Sequence, residues 1–176
     1  MENNTILEKE RVIKSFKKGE VLQKKGDKKV KAFFVHKGLL RSYTIDNNGR
    51  EHIFMFAPEN WLVTDVGLLS NRTESTLYID VLEDAEVEII DEQVFNHIEQ
   101  LPVDILTDQI GKLIKRINAL QIRVLLLLSA PAEERYKNFI DTYPQIVQRV
   151  PQRMIASYLG ITPQALSTIR SKKTKK

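Results

Sequence analysis

The most restrictive feature of this sequence is a run of apolar residues separated alternately by four and three positions. The run consists of Leu106, Ile110, Leu113, Ile117, Leu120, Val124 and Leu127. A pattern that repeats every seven residues over three heptads is typical of the seam of a coiled coil. It predicts a long helix over about residues 104–128 whose seam pairs with a second helix. The alternative is a helix that lies on the β-rich part of its own chain. A helix this long usually needs a partner for its second apolar edge, which favours the pair.

The first hundred residues have the pattern of short strands separated by turns. The clearest element is a hairpin, in which the turn Asp46-Asn47-Asn48-Gly49 contains residues that tolerate positive φ and joins two apolar runs. The predicted strands cover residues 16–22, 32–36, 39–45, 52–56, 76–81 and 85–90, and Lys37-Gly38 ends the second of them. Many short strands at regular spacing indicate an all-β sandwich, roll or barrel.

Beyond the strands the pattern becomes helical. A short helix is predicted at residues 91–98, with Asp91 as its cap. Ser129-Ala130-Pro131 interrupts the long helix, and Pro131 suits the first turn of a following helix that extends to about residue 141. Residues 145–150 predict one further short helical piece.

Residues 150–172 contain two helical patterns joined by a glycine. The first has its apolar residues at helical spacing, at Met154, Ile155, Tyr158 and Leu159. Gly160 follows, where a helix ends at positive φ. Thr162 then caps a second helix, Pro163 fits its first position, and Leu166 and Ile169 form its buried edge. Two short helices joined by a tight turn predict a helix-turn-helix, whose second helix fits the major groove of DNA.

The charge distribution favours a nucleic-acid partner for this segment. Residues 130–176 contain nine basic and three acidic side chains, whereas residues 1–129 contain eighteen basic and twenty acidic ones. No acidic residue occurs from position 145 onward. The alternative is an ordinary helical hairpin followed by a solvated basic tail. The candidate DNA contacts are Gln152, Arg153, Thr162, Gln164, Ser167, Thr168, Arg170 and Lys172.

Several short motifs carry a family resemblance. They are Gly19-Glu20-Val21-Leu22, Lys25-Gly26-Asp27, Phe34-Val35, Lys37-Gly38, the turn at residues 46–49 and the segment 161–167. With these motifs the chain resembles the Crp/Fnr family of bacterial transcription regulators, in a short form common in Bacteroidetes. The resemblance implies an α+β chain with a cyclic-nucleotide-binding-like β-roll over residues 1–100, a dimerisation helix over 101–129 and a helix-turn-helix domain over 130–176. It also implies a homodimer that binds a palindromic operator in double-stranded DNA.

The chain departs from the cyclic-AMP-binding members of that family at the ligand pocket. Those members hold the cyclic phosphate with a Gly-Glu pair and a downstream Arg-Ser-Ala or Arg-Thr-Ala. Here Asp65 takes the place of the glutamate, Ser75 stands where the arginine is expected, and Arg72 belongs to the preceding loop. Without a bidentate guanidinium an anionic phosphate loses its strongest partner, so we expect no tight binding of cyclic AMP. The candidate effector pocket, for an unidentified small molecule, comprises Val63, Thr64, Asp65, Val66, Gly67, Ser75 and Thr76.

Other chemistries are not indicated. The absence of cysteine removes thiolate metal sites, iron–sulfur clusters and cysteine nucleophiles. The histidines His36, His52 and His97 are scattered, and no carboxylate pairs with a nucleophile or a phosphate-binding loop. We therefore expect no enzyme activity, no metal and no cofactor. Residues 1–10 lack the apolar core of a signal peptide and the longest aliphatic run has five residues, so a cytoplasmic protein without a membrane partner is expected.

Two function classes remain open. The first is a DNA-binding transcription regulator that acts as a homodimer. The second is a β-roll module that senses a small molecule or binds a protein, and whose helix-turn-helix no longer binds DNA. Binding to DNA that weakens steeply as salt rises distinguishes the first class from the second.

Overall fold

A computed structural model describes residues 11–29, 31–69, 73–92 and 102–174. The chain divides into two compact units, residues 1–100 and residues 101–176, and each is considered by itself. Most of the short helix predicted at residues 91–98 lies outside the described residues, as do His97 and Arg72.

The first unit is built on an antiparallel sheet, which has six strands within the described residues. The strands are β1 (Arg11–Phe16), β2 (Val21–Gln23), β3 (Lys31–Ile45), β4 (Glu51–Ala57), β5 (Leu62–Thr64) and β6 (Tyr78–Asp91), with a one-turn helix α1 (Val66–Leu69) after β5. The order in the sheet is β1-β6-β3-β4, while β2 also pairs with β6 and β5 also pairs with β3. This arrangement confirms the predicted β-roll.

Two predicted interruptions of the strands are wrong. Lys37-Gly38 does not end a strand, because β3 continues through it, and the strands predicted at residues 76–81 and 85–90 are one strand, β6. The pairing of β3 with β6 shifts register near Lys37 and Leu39, so bulges absorb the irregular residues without breaking the ladder. Gly38 has φ +94°, and a Cβ there would lie 2.6 Å from the carbonyl oxygen of Asp84. The glycine therefore permits close approach of two strands.

The predicted hairpin is confirmed. Strand β3 pairs with β4 so that Ile45 lies opposite Glu51. The Asp46 carboxylate closes the turn by accepting hydrogen bonds from the backbone N–H groups of Asn48 and Arg50, at 2.8 and 3.0 Å.

Aliphatic and aromatic side chains fill the interior of this unit, and its buried cluster comprises Phe33, Val35, Leu40, Ala57, Val63, Ile79, Val81, Ala85 and Val87.

A buried ion cluster joins three of the strands. The Arg41 guanidinium of β3 donates to both carboxylate oxygens of Asp80 on β6, at 2.7 and 2.8 Å, and also contacts Glu51 of β4. It lies over the ring of Tyr43, 4.0 Å from the centroid. Burial by itself lowers the pKa of Arg41, but the bonds to the two carboxylates outweigh burial and raise it. The guanidinium is thus fully charged and paired inside the sheet.

The second unit is helical. It contains α2 (Val103–Ser129), α3 (Ala132–Thr142), the one-turn helix α4 (Pro144–Val147), α5 (Gln152–Leu159) and α6 (Pro163–Thr174). The long helix, the break before residue 132 and the helix that ends near residue 141 are therefore confirmed. Its buried side chains come from α3 to α6 and are Tyr136, Phe139, Ile146, Val150, Met154, Ile155, Ala156, Leu159, Leu166 and Ile169. Within the described residues, no helix has the length and apolar character needed to cross a membrane.

Candidate functional sites

Helices α5 and α6 are joined by the tight turn that the sequence predicts. Gly160 ends α5 at φ 64° and ψ 38°, and the N–H of Ile161 reaches back to the carbonyl of Ala156 at 3.0 Å. This closure at a left-handed glycine satisfies carbonyls at the end of the helix. Thr162 then accepts the N–H of Ala165 on its Oγ1 at 3.1 Å, which caps the first turn of α6.

The two helices pack through small and aliphatic residues. Ile155 and Ala156 of α5 and Leu166 of α6 have no exposed surface, and Ile169 is 9% exposed. Because Ala156 carries only a methyl group, the helices cross closely, and one edge of α6 is held against the unit. The opposite edge of α6 faces outward.

The predicted DNA contacts of α6, apart from Arg170, lie on that outward edge, whereas Gln152 and Arg153 belong to α5. The exposed members are Gln152, Arg153, Thr162, Gln164, Ser167, Thr168 and Lys172, while Arg170 is half-buried. The hydroxyl of Thr162 serves the cap, and that of Thr168 donates to the carbonyl of Gln164 at 3.1 Å. The Thr168 methyl group and the Gln164 amide remain available on the surface. The structure thus brings the candidates of α6 onto one face and places Arg153 at the start of α5.

The apolar residues of the predicted seam are largely uncovered. Ile110, Leu113, Ile117 and Val124 are 54–56% exposed, and Leu120 and Leu127 are 37% and 39% exposed. They recur on one side of α2 over most of its length. Exposure of so long an apolar stripe to water is unfavourable, and a partner would stabilise it by roughly 25 cal/mol for each Å² of apolar surface that it buries. The face is therefore suited to contact with another apolar surface.

The predicted effector-pocket residues form a closed hydrogen-bond cluster around Asp65. Its carboxylate is 3% exposed and accepts the N–H of Gly67 at 3.0 Å, the hydroxyl of Ser75 at 3.0 Å and the N–H of Thr76 at 2.8 Å. Burial raises the pKa of Asp65, but these bonds outweigh it and lower the pKa below its ordinary value. Asp65 therefore holds the two segments of the predicted pocket together.

Gln23 completes this cluster, although its place there is not predicted from the sequence. Its Nε2 donates to the Ser75 hydroxyl at 2.7 Å and to the carbonyl of Leu77 at 3.2 Å. Gln23 lies on a strand of three residues next to a lysine-rich turn. Since no periodicity marks such a short element, nothing in the sequence places this amide beside Ser75.

The remaining pocket candidates have other surroundings. Val63 belongs to the buried core, Thr64 donates its hydroxyl to the carbonyl of Lys31 at 2.8 Å, and Val66 is 64% exposed. Two cavities of the structure lie elsewhere. One is in the helical unit. The other is lined by Gln23 and its neighbours up to Lys31, so it adjoins the Asp65 cluster, but none of the seven pocket candidates lines either cavity.

The β-roll of the first unit places the chain in a known class of protein domain. Residues 13–100 match the family model of the cyclic nucleotide-binding domain, which is half of the chain. The chain belongs to the cyclic nucleotide-binding domain family, and its homologues include regulators of the Crp/Fnr family.

Curated relatives from two bacteria support that placement. The anaerobic regulatory protein of Aggregatibacter actinomycetemcomitans is 28% identical over 89% of this chain and 64% of its own length. The transcriptional activator protein FnrA of Stutzerimonas stutzeri is 28% identical over 87% of this chain and 66% of its own length. The chain thus spans slightly less than two thirds of either relative.

A solved structure has the same fold. FixK2 from Bradyrhizobium japonicum superposes with a TM-score of 0.79 over 94% of this chain and 85% of its own, at 19% identity. An identity this low concerns the fold alone.

Asp65→Asn is expected to destabilise the protein by about 1–3 kcal/mol. Both oxygens of the carboxylate accept hydrogen bonds, and in asparagine one of them becomes an NH₂ group. That NH₂ group cannot accept, so at least one donor loses its acceptor. Since folding lowers the pKa of Asp65, the carboxylate contributes stability that is complete above about pH 4 and is lost as the pH falls through the folded pKa. Urea denaturation at pH 7 and at pH 3.5 measures both effects. The loss caused by Asp65→Asn should be smaller at the lower pH.

Asp84→Asn is the matched control. Asp84 pairs with Lys17 at 2.7 Å, but its side chain is 62% exposed, so its removal should cost less than that of Asp65. Equal losses from the two variants at pH 7 would contradict a special role for the buried cluster.

Proposed function

We propose that the chain is a DNA-binding transcription regulator that acts as a homodimer on a palindromic operator. The single observation that carries the proposal is the outward face of α6, which presents exposed Gln164, Ser167, Thr168 and Lys172 in a segment free of acidic residues. A helix with such a face fits the major groove without repelling phosphates. The matches to an anaerobic regulatory protein and to a transcriptional activator protein support the same conclusion.

Each side chain has a distinct role in this proposal. Gln164 lies in the first turn of α6, the part of a recognition helix that usually contacts base edges, and an amide can pair with adenine through two hydrogen bonds. Ser167 and the methyl group of Thr168 lie one turn further and suit bases or a thymine methyl. Arg153 and Lys172 suit phosphates, which position the protein without reading sequence.

The dimer in this proposal forms along α2. Pairing two copies of the exposed seam would bury both apolar stripes and relate two α6 helices by a two-fold axis. Recognition helices related in this way contact half-sites about 34 Å apart, one turn of DNA. The two-fold axis of the protein is also the reason for a palindromic operator.

The first unit, in this proposal, is a sensor that does not respond to cyclic AMP. Ser75 offers a hydroxyl where an anionic phosphate needs a guanidinium, and Asp65 is buried in hydrogen bonds to its own chain. Among the described residues no cation affects Asp65, and a carboxylate without a neighbouring cation repels a phosphate rather than binding it. Either another small molecule acts on this unit or it carries no effector.

A calorimetric titration with cyclic AMP at pH 7 is expected to give no saturation below about 1 mM. The physical reason is the missing charge-assisted pair, since hydrogen bonds to charged groups contribute about 1.5–3 kcal/mol each. Saturation at low micromolar concentration would contradict the assignment of Asp65 and Ser75 to a closed cluster.

Gln164→Ala is expected to weaken binding to a selected operator by about 1–3 kcal/mol and to relax base preference at one position of each half-site. Selection of bound fragments from random DNA, followed by gel shift of wild type and variant, measures both. Gln145→Ala serves as the control, because Gln145 is exposed in the same unit but belongs to α4.

The same gel shifts test the second function class. Affinity for the operator should fall steeply between 50 and 200 mM salt, as it does when phosphates are neutralised by several bases. If wild-type protein retards no fragment at the lower salt, a β-roll module whose helical hairpin has lost DNA binding becomes the better account. Uniform weakening of all fragments by Gln164→Ala would assign this residue to packing.

Ile117→Glu is expected to yield monomers in analytical ultracentrifugation, because it places two like charges across the proposed seam. Lys115→Glu introduces the same side chain at an exposed position on another side of α2 and should leave the dimer intact. A dimer that persists in Ile117→Glu would show that the interface lies elsewhere.

A further inference from the structure

The helical unit contains a cavity that the proposed DNA contacts do not use. It has a volume of about 210 Å³ and lies between α2, α3 and α5. Its apolar walls include Ile122 and Leu126 of α2 and Phe139 of α3. A cavity needs only about 10–15 Å³ of such space to hold one water, so this one has room for a small organic molecule.

The charged side chains that line the cavity are all basic. Two arginines, Arg123 of α2 and Arg135 of α3, contribute to its lining, and no aspartate or glutamate does. The Nε–H of Arg135 is buried and has no hydrogen-bond acceptor. A buried donor left without an acceptor costs roughly 1–3 kcal/mol, and more when its group is charged. An acceptor with negative charge would remove that cost.

Arg123 shapes the same wall through aromatic contact. Its guanidinium lies over the Tyr158 ring, 3.9 Å from the centroid, and donates to the Tyr158 carbonyl at 2.9 Å. Burial lowers the pKa of Arg123. The Tyr158 ring in turn contacts Phe139 at 5.1 Å and Tyr143 at 6.3 Å between centroids. The result is an aromatic wall beside two cationic groups.

The cavity lies away from the seam. Ala119, Ile122 and Leu126 line it, and with 3.6 residues per turn they project from the side of α2 opposite Ile117 and Val124. Leu127, at the end of the seam, reaches the cavity edge. A second helix paired along the seam would therefore leave most of the cavity open.

We propose that this cavity is a binding site for a small carboxylate with an aromatic body. The carboxylate accepts from the guanidinium of Arg135, and the ring packs between Ile122, Leu126 and the aromatic wall. This site is separate from the β-roll pocket, and its existence does not depend on DNA binding. Because Tyr158 and Leu159 of α5 form part of the lining, the ligand would contact the helix on which α6 packs.

A titration of the full chain, observed by ¹H–¹⁵N NMR, tests the proposal. Benzoate, phenylacetate and 4-hydroxybenzoate are the probes, and the corresponding amides are their neutral controls. At least one carboxylate is expected to shift the amide signals of Phe139, Tyr158 and Leu159 in a saturable manner. Its amide should bind at least tenfold more weakly, because it lacks the charge that Arg135 complements.

Arg135→Gln should weaken the best carboxylate at least tenfold and leave its amide unchanged. Lys137→Gln removes the same charge from an exposed position of α3 and should leave both affinities unchanged. An unchanged thermal unfolding temperature and an unchanged affinity for the amide would establish that the cavity of Arg135→Gln is intact. Arg135→Lys should give an intermediate loss of affinity for the carboxylate. Absence of saturable binding by all three carboxylates, equal binding of acid and amide, or full affinity in Arg135→Gln would overturn the proposal.

Discussion

Helix α2 has an apolar stripe on each of two sides, and the structure of the helical unit depends on how each stripe is covered. The side that carries Ile122 and Leu126 contacts the helices of its own unit, and the side that carries Ile117 and Val124 is more than half exposed. A single helix of 27 residues cannot cover both sides with the short helices that follow it. The exposed stripe is the physical basis of the proposed dimer, and the side that carries Ile122 and Leu126 forms one wall of the cavity.

In the β-roll, the polar groups that a ligand would need are occupied by one another. Asp65 accepts from Gly67, Ser75 and Thr76, and Gln23 adds a further bond to Ser75. Such a cluster is stable only when each buried polar group has a partner, and binding a phosphate there would first require these bonds to break. Family membership therefore describes the fold of this unit, whereas its lack of response to cyclic AMP is a proposal that depends on this cluster.

Elements that depend on neighbouring residues in the sequence could be predicted. The heptad repeat determines α2, the Asp46–Gly49 turn determines its hairpin, and Gly160 with Thr162 determines the turn between α5 and α6. Each depends on residues within one or two helical turns or one loop. The predicted breaks at Lys37-Gly38 and between residues 81 and 85 were wrong, because a long paired strand stabilises residues that would end an isolated one.

By itself, the sequence indicated a β-rich first part followed by helices, the apolar stripe of α2 and the polar face of α6. All of these depend on residue type and short spacing, which are local properties. Only the tertiary structure decided which distant groups meet. It placed Gln23 beside Ser75, 52 positions later, and Arg41 beside Asp80, 39 positions later. It also formed the cavity that Arg123 and Arg135 line, because contacts between elements depend on packing that no local spacing encodes.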